Sequence, residues 1–219
     1  MGDAAGDVLV VALFALGPVL LVMLTSFVKL SVVLALVRSG LGTPDVPSGL
    51  VVTGLALVLT LFVMAPVVDD VIDAVAPAPA PDATLDARDW PEGAVGWLGA
   101  ADRAAAPVKV FLAKHAHGDD RATFAGLASR MRNGAPVADD DLAVLAPAFV
   151  TSELAEAFAI GFLLLLPFLV IDLVVGLSLT SLGLAATPPS VVALPLKLLL
   201  FVAVDGWRLL VEGLVLGYA

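Results

Sequence analysis

The sequence predicts an all-helical, membrane-associated protein: long hydrophobic helical hairpins with a small helical insertion, forming one subunit of an oligomeric assembly. Three observations predict it. First, the 219 residues are 60% hydrophobic and 15% charged, with a mean hydropathy of +1.05. Soluble domains are about half apolar and about a quarter charged. Second, apolar runs long enough to cross a bilayer recur, and no stretch alternates with the period of two that a half-buried strand requires. Third, the hydrophobic stretch 145–218 is punctuated by Glu153, Glu156, Asp172, Lys197, Asp205, Arg208 and Glu212. Charges are costly in hydrocarbon and face a partner or a water-filled path there, so this segment is built to assemble.

Residues 8–28 hold 21 positions without a charge, and one helical crossing takes roughly 20. Lys29 follows, then a second apolar run to Val37 and Arg38. A continuous helix over 8–38 is on the order of 45 Å long, well beyond a hydrocarbon core of ~30 Å. Either Pro18 kinks it or it projects beyond the membrane. Asp3 and Asp7 stand where a secretory signal carries lysines, so this stretch is expected to remain in the mature protein. Residues 39–49, SGLGTPDVPSG, break the pattern with three glycines and two prolines. The second apolar block, 50–68, contains Pro66 and ends in an acidic turn of Asp69, Asp70 and Asp73.

Residues 75–82, VAPAPAPD, favour an extended, stiff spacer. From there to Asp141 the composition is that of a soluble domain, with short helices expected over 92–104, 108–115 and 121–131. The insertion carries seven of the eleven basic residues and ten of the twenty-one acids, and it is too small and Ala-rich for a large independent core. Asp139, Asp140 and Asp141 mark a helix start, because acids favour the positive end of the helix dipole. The third apolar block is expected to begin at Thr151 or Ser152 as N-cap, with Glu153 in the first turn, and to run past Pro167 to about Gly183. The fourth begins with Thr187 as N-cap and Pro188 at the first helical position, and runs to about Leu216. These two blocks form a long hairpin with a short tip. Three parts result: hydrophobic helices over 1–75, the polar insertion over 76–145 and the hydrophobic hairpin over 146–219. Orientation is not assigned, since the loops 39–49 and 184–187 lack the Lys and Arg that the positive-inside rule counts.

Several function classes are disfavoured. With no cysteine there is no disulfide framework and no thiol chemistry. The net charge of −10 and the lack of a basic patch argue against nucleic-acid binding. Glu153 and Glu156 share a helix face at i,i+3, yet no His or Cys accompanies them as a catalytic or metal motif would require. His115 and His117 lie near Asp119 and Asp120, but an i,i+2 pair does not converge on one metal from a helix, where i,i+4 does. No catalytic residue, cofactor or metal ion is therefore expected. Arg208 and Glu212 at i,i+4, and Asp205 and Arg208 at i,i+3, can pair locally. Lys197 has no acid within four residues, which leaves Glu153, Glu156 or Asp172 as its expected partner. Ala157 with Gly161, and Gly176 with Thr180, have the small-xxx-small spacing that permits close helix approach.

Taken together, LTSFVKLSVVLALVRSGLGTPDVPSG (24–49), GLALVLTLFVMAPV (54–67), PAFVTSEL (147–154), AFAIGF (157–162), LPFLVIDLV (166–174) and PPSVVALPLKLLLFVAVDGWRLL (188–210) resemble the FliP/SctR family. These are the type III export-gate proteins of flagella and injectisomes. The resemblance implies an all-helical export-apparatus subunit at the bacterial inner membrane. It implies a homo-oligomer, a pentamer, joined by SctS/FliQ-type and SctT/FliR-type subunits around a channel for unfolded substrates. SctV/FlhA-type and SctU/FlhB-type proteins are the further implied partners. It also implies that Lys29, Glu153, Glu156, Asp172, Lys197, Asp205 and Arg208 make contacts between helices or subunits, and that Phe149 and Trp207 pack. The loop before PPS would project into the pore. Many relatives have a methionine run there that closes the channel as a flexible gasket. Here it reads Gly183, Leu184, Ala185, Ala186, Thr187, and Leu184 is expected to narrow the closed pore. The SFVKL string with Lys29 is more similar to the injectisome branch. The alternatives are a flagellar subunit of the same family, a small secondary transporter or channel with Lys197 and Asp172 as coupling charges, and an intramembrane enzyme. The halves show no repeat of the kind transporters have.

Overall fold

A computed structural model describes residues 22–42, 47–76, 93–184 and 186–219, with the backbone alone over 93–98. The regular elements described are all helices: α1 (Phe27–Leu41), α2 (Gly49–Val75), α3 (Gly93–His115), α4 (Gly118–Met131), α5 (Leu142–Ser181), α6 (Pro189–Ala203) and α7 (Gly206–Leu216). The chain divides into two compact units. One comprises Met1–Val63 with Glu153–Ala219, and the other Met64–Ser152.

In the first unit α1 is the central helix. Leu30, Val33, Leu34, Val37 and Leu41 are its buried stripe, at the spacing of one helix face. They cluster with Ala56 and Leu59 of α2, Ala157 and Phe168 of α5, Phe201 of α6, and Leu210 and Leu214 of α7. Two glycines set the α1–α5 distance. A Cβ on Gly161 would overlap the Leu36 side chain, and one on Gly40 would overlap Leu165. Ala157 and Gly161 are thus a small-residue seam against α1. Gly176 is different: a Cβ there would meet only Pro189, at an ordinary contact distance of 3.9 Å.

The second unit has its own core, in which Leu112, Val144, Leu145, Ala148 and Phe149 are fully buried. Phe149 meets Phe111 at 5.6 Å between ring centroids. Polar contacts close the helix ends: Arg103 Nε donates to the Ala74 carbonyl (3.0 Å), and the His117 amide donates to Ser152 Oγ (2.9 Å). Ser152 Oγ also lies 2.5 Å from Asp120 Oδ2.

Several sequence expectations are corrected. The stretch 8–38 is not one continuous helix: it is interrupted at residues 24–26, where Thr25 Oγ1 donates to the Val22 carbonyl (2.8 Å) and accepts from the Phe27 amide (3.3 Å). A hydroxyl that offers the backbone these bonds competes with the helix. Pro18 and most of the first apolar block lie outside the described residues. The break expected from Ser39 begins three residues later, because Gly42, at φ 77°, caps α1 with its amide on the Ser39 carbonyl. The second block does not stop at 68: α2 continues through Asp69, Asp70 and Asp73 to Val75. The spacer at 77–82 is outside the described residues. The expected helices 92–104 and 108–115 are one helix, since the run Ala104–Ala105–Ala106 favours helix strongly enough to carry it through Pro107. The third block begins at Leu142, where Asp141 Oδ1 caps the Ala143 amide (3.0 Å). Thr151 and Ser152 are therefore inside α5. The fourth block is two helices: Pro188 is the N-cap of α6, and α6 and α7 are bent by 60° at residues 204–205.

Two described helices, Gly49–Val75 and Leu142–Ser181, are long and apolar enough to cross a membrane, and the bent α6–α7 pair passes only as one broken span. The forty residues of α5 reach about 60 Å, twice a hydrocarbon core.

Candidate functional site

The charged and tip residues of the first unit gather into three features. The first is a buried polar node. Lys29, in the opening turn of α1, is 2% exposed, and its Nζ lies 2.9 Å from Glu153 Oε1 and 2.6 Å from Glu156 Oε2. The i,i+3 spacing on α5 presents both carboxylates to one ammonium. Tyr218 closes the node: its hydroxyl donates to Glu153 Oε2, and Lys29 Nζ lies 4.3 Å from its ring centroid. Burial first, then the charge of Glu153, pushes the Tyr218 phenol well above its ordinary range, so it remains a donor. Glu153 has no exposed surface, and the ammonium and the phenol that face it offset the cost of burying its carboxylate.

The second feature joins α5, α6 and α1. Lys197 Nζ donates to Asp172 Oδ2 at 2.7 Å and to the Gly40 carbonyl at 3.1 Å. Gly40 lies in the last turn of α1, where carbonyls lack intrahelical partners and the helix dipole is negative, so a cation fits there. Of the three acids open to Lys197 from sequence, Asp172 is its partner, while Glu153 and Glu156 belong to Lys29. Arg208 and Glu212 form an exposed i,i+4 pair at 2.9 Å. Asp205 does not pair with Arg208 and makes no ion pair among the described residues. It adopts a left-handed conformation (φ 53°, ψ 48°) and its side chain does not cap α7.

The third feature is the hairpin tip. Gly183, at φ 73°, ends α5, and the Leu184 amide returns to the Leu179 carbonyl at 2.9 Å. That six-to-one bond is the Schellman closure a left-handed glycine permits. The Thr187 amide then bonds the Leu184 carbonyl at 2.9 Å. Leu182 and Leu184 are 72% and 50% exposed, and Ala186 is exposed. Ala185 lies outside the described residues.

Phe149 sits in the core of the second unit and belongs to none of these features. Trp207 is 38% exposed and packs edge-on against Phe201, at 5.2 Å between centroids. Among the described residues no three His, Asp or Glu side chains converge as metal ligands would. His115 ends α3 with its ring tilted against that of Phe111, and His117 is the N-cap of α4. Sequence reasoning missed Tyr218, which carried no pattern signal. It also missed the 204–205 bend, although Asp205–Gly206 is a turn dipeptide that could have marked it.

The FliP family model matches residues 10–214. The chain is 43% identical over 199 residues to the probable translocation protein y4yL of Sinorhizobium fredii, covering 89% of this chain and 85% of that protein. It is 42% identical to the hypersensitivity response secretion protein HrcR of Ralstonia nicotianae, covering 99% and 98%. It is 43% identical to the flagellar biosynthetic protein FliP of Pectobacterium carotovorum, covering 90% and 72%. An all-helical fold of long apolar helices and a match across nearly the whole chain give one conclusion: this chain belongs to the FliP family, the export-apparatus proteins of type III secretion.

Proposed function

We propose that this chain is a non-enzymatic core subunit of the export gate, surrounding the path of unfolded protein substrates at the bacterial inner membrane. The hairpin of α5 and α6 carries this reading. Its exposed surface is largely apolar, with Phe162, Leu163, Leu169, Leu173, Leu177, Val191 and Leu199 exposed, and its buried charges are matched within the chain. Such a surface requires lipid or neighbouring subunits, and its tip ends in a fixed turn bearing Leu182 and Leu184. In a ring of copies these tips converge and Leu184 narrows the channel.

The partners follow from the family: further copies of this chain, five in the family's pattern, with SctS/FliQ-type and SctT/FliR-type subunits, and SctV/FlhA-type and SctU/FlhB-type proteins adjoining. Identity alone does not separate the two branches, at 42% to HrcR and 43% to a flagellar protein. The SFVKL string, whose Lys29 is the cation of the first polar node, supports the injectisome branch.

Native mass spectrometry in mild detergent tests the reading, with the chain alone and co-expressed with the two small partner subunits. A discrete homo-oligomer that those partners extend into one larger complex is expected. A monomer in both preparations would overturn the gate reading and favour a transporter using Asp172 and Lys197.

A further inference from the structure

We propose that the upper hairpin, residues 168–203, is a swinging element hinged at one level of the first unit and latched to α1 by Lys197. One weak point within the unbroken α5 and one break between α6 and α7 define the level. On α5, Pro167 has no amide to donate to the preceding turn, which weakens the helix there. On the returning arm, residues 204–205 interrupt the helix between α6 and α7, with Asp205 left-handed and the two helices bent by 60°. Both weak points line the same partly open apolar cleft of about 260 Å³, with Val37, Phe168 and Leu210 also on its wall. That opening to the surroundings gives the two weak points room to move together.

The bend is held by a close contact. A Cβ on Gly206 would lie 2.8 Å from the Phe201 carbonyl oxygen, so the bent state requires glycine at that position. The non-glycine Asp205 in a left-handed conformation, without a capping bond, leaves local strain beside it. Above the hinge the hairpin is tied to the end of α1 by the Lys197 ammonium on the Gly40 carbonyl, with Asp172 holding that ammonium in place. The tip itself is closed by two backbone bonds. Releasing Lys197 therefore loosens the hairpin from α1.

The test uses the full chain reconstituted in lipid, with spin labels at Val191→Cys and Leu216→Cys, both exposed positions on opposite sides of the bend. The chain has no other cysteine. A minor open state holds on the order of 0.1–10% of molecules in such equilibria. Replacing Asp172 and Lys197 together with leucine removes the latch without leaving a lone buried charge, and is expected to raise a second distance population about tenfold. Gly206→Ala, whose Cβ would crowd both the ring and the carbonyl of Phe201 at the bend, is expected to shift the distribution in the same direction. An unchanged single distance in both variants would overturn the hinge. On the gate reading above, releasing the hairpin is expected to raise the ion leak of the assembled complex. A changed distance with no increase in ion leak of the assembled complex supports the hinge and counts against that reading instead.

Discussion

The Lys29 node makes the sharpest demands on single residues. Glu153 has no exposed surface and faces Lys29 and Tyr218. Removing one partner of a buried pair leaves an uncompensated charge, at a cost of about 3–5 kcal/mol. Lys29→Ala leaves the buried Glu153 carboxylate without its cation and is therefore expected to lower the thermal unfolding temperature sharply in detergent, and unchanged melting would contradict the node. Tyr218→Phe removes one donor to a charged group and is expected to cost about 1–3 kcal/mol in the same assay. Asp172 and Lys197 test differently, because Asp172 is 43% exposed in its side chain and its share is partly screened. If the pair is coupled, Lys197→Ala and the double change to alanine damage stability equally, with a coupling of about 0.5–3 kcal/mol. Strictly additive effects would show that no coupling exists. That Lys197 needed a remote acid was legible, because no carboxylate lies within four residues of it. Which acid it finds was not, since that depends on how α5 and α6 register against each other.

At the scale of elements, the α1–α5 seam depends on Gly161. A Cβ there overlaps the Leu36 side chain and sits 3.3 Å from Leu36 Cβ. Overpacking of this kind costs about 1–3 kcal/mol. Gly161→Ala should destabilise the protein by that amount, and adding Leu36→Ala should recover part of the loss. Failure of Leu36→Ala to rescue any stability would place the strain elsewhere. The helical content and the hairpin were readable because long apolar runs with glycine and proline between them leave few alternatives. Boundaries were less readable where two local signals competed. Thr151 and Ser152 look like N-caps, yet Asp141 caps α5 and Ser152 serves His117 and Asp120 from within it. Pro107 looks like a stop, yet α3 passes through it.

For the whole molecule, the proposal is that several copies bring their tips around one path. In that proposal the tip after Gly183 lies on the path, and closure is assigned to the exposed Leu184. Leu184→Gly is expected to raise ion leak through the assembled complex in energised membranes, and unchanged leak would move the seal to other residues or to a partner. The family was legible because the diagnostic strings span most of the chain. The polar node at Tyr218 was not, since it depends on a contact that no local pattern encodes, and the bend at Asp205 was marked only by the Asp205–Gly206 dipeptide. The most direct measurement is photocrosslinking from position 184 to a secreted substrate stalled in transit, with position 110 of the second unit as the comparison. The account predicts a substrate adduct at 184 that disappears when the substrate is released. Adducts at 110 but none at 184, with the complex assembled, would contradict it.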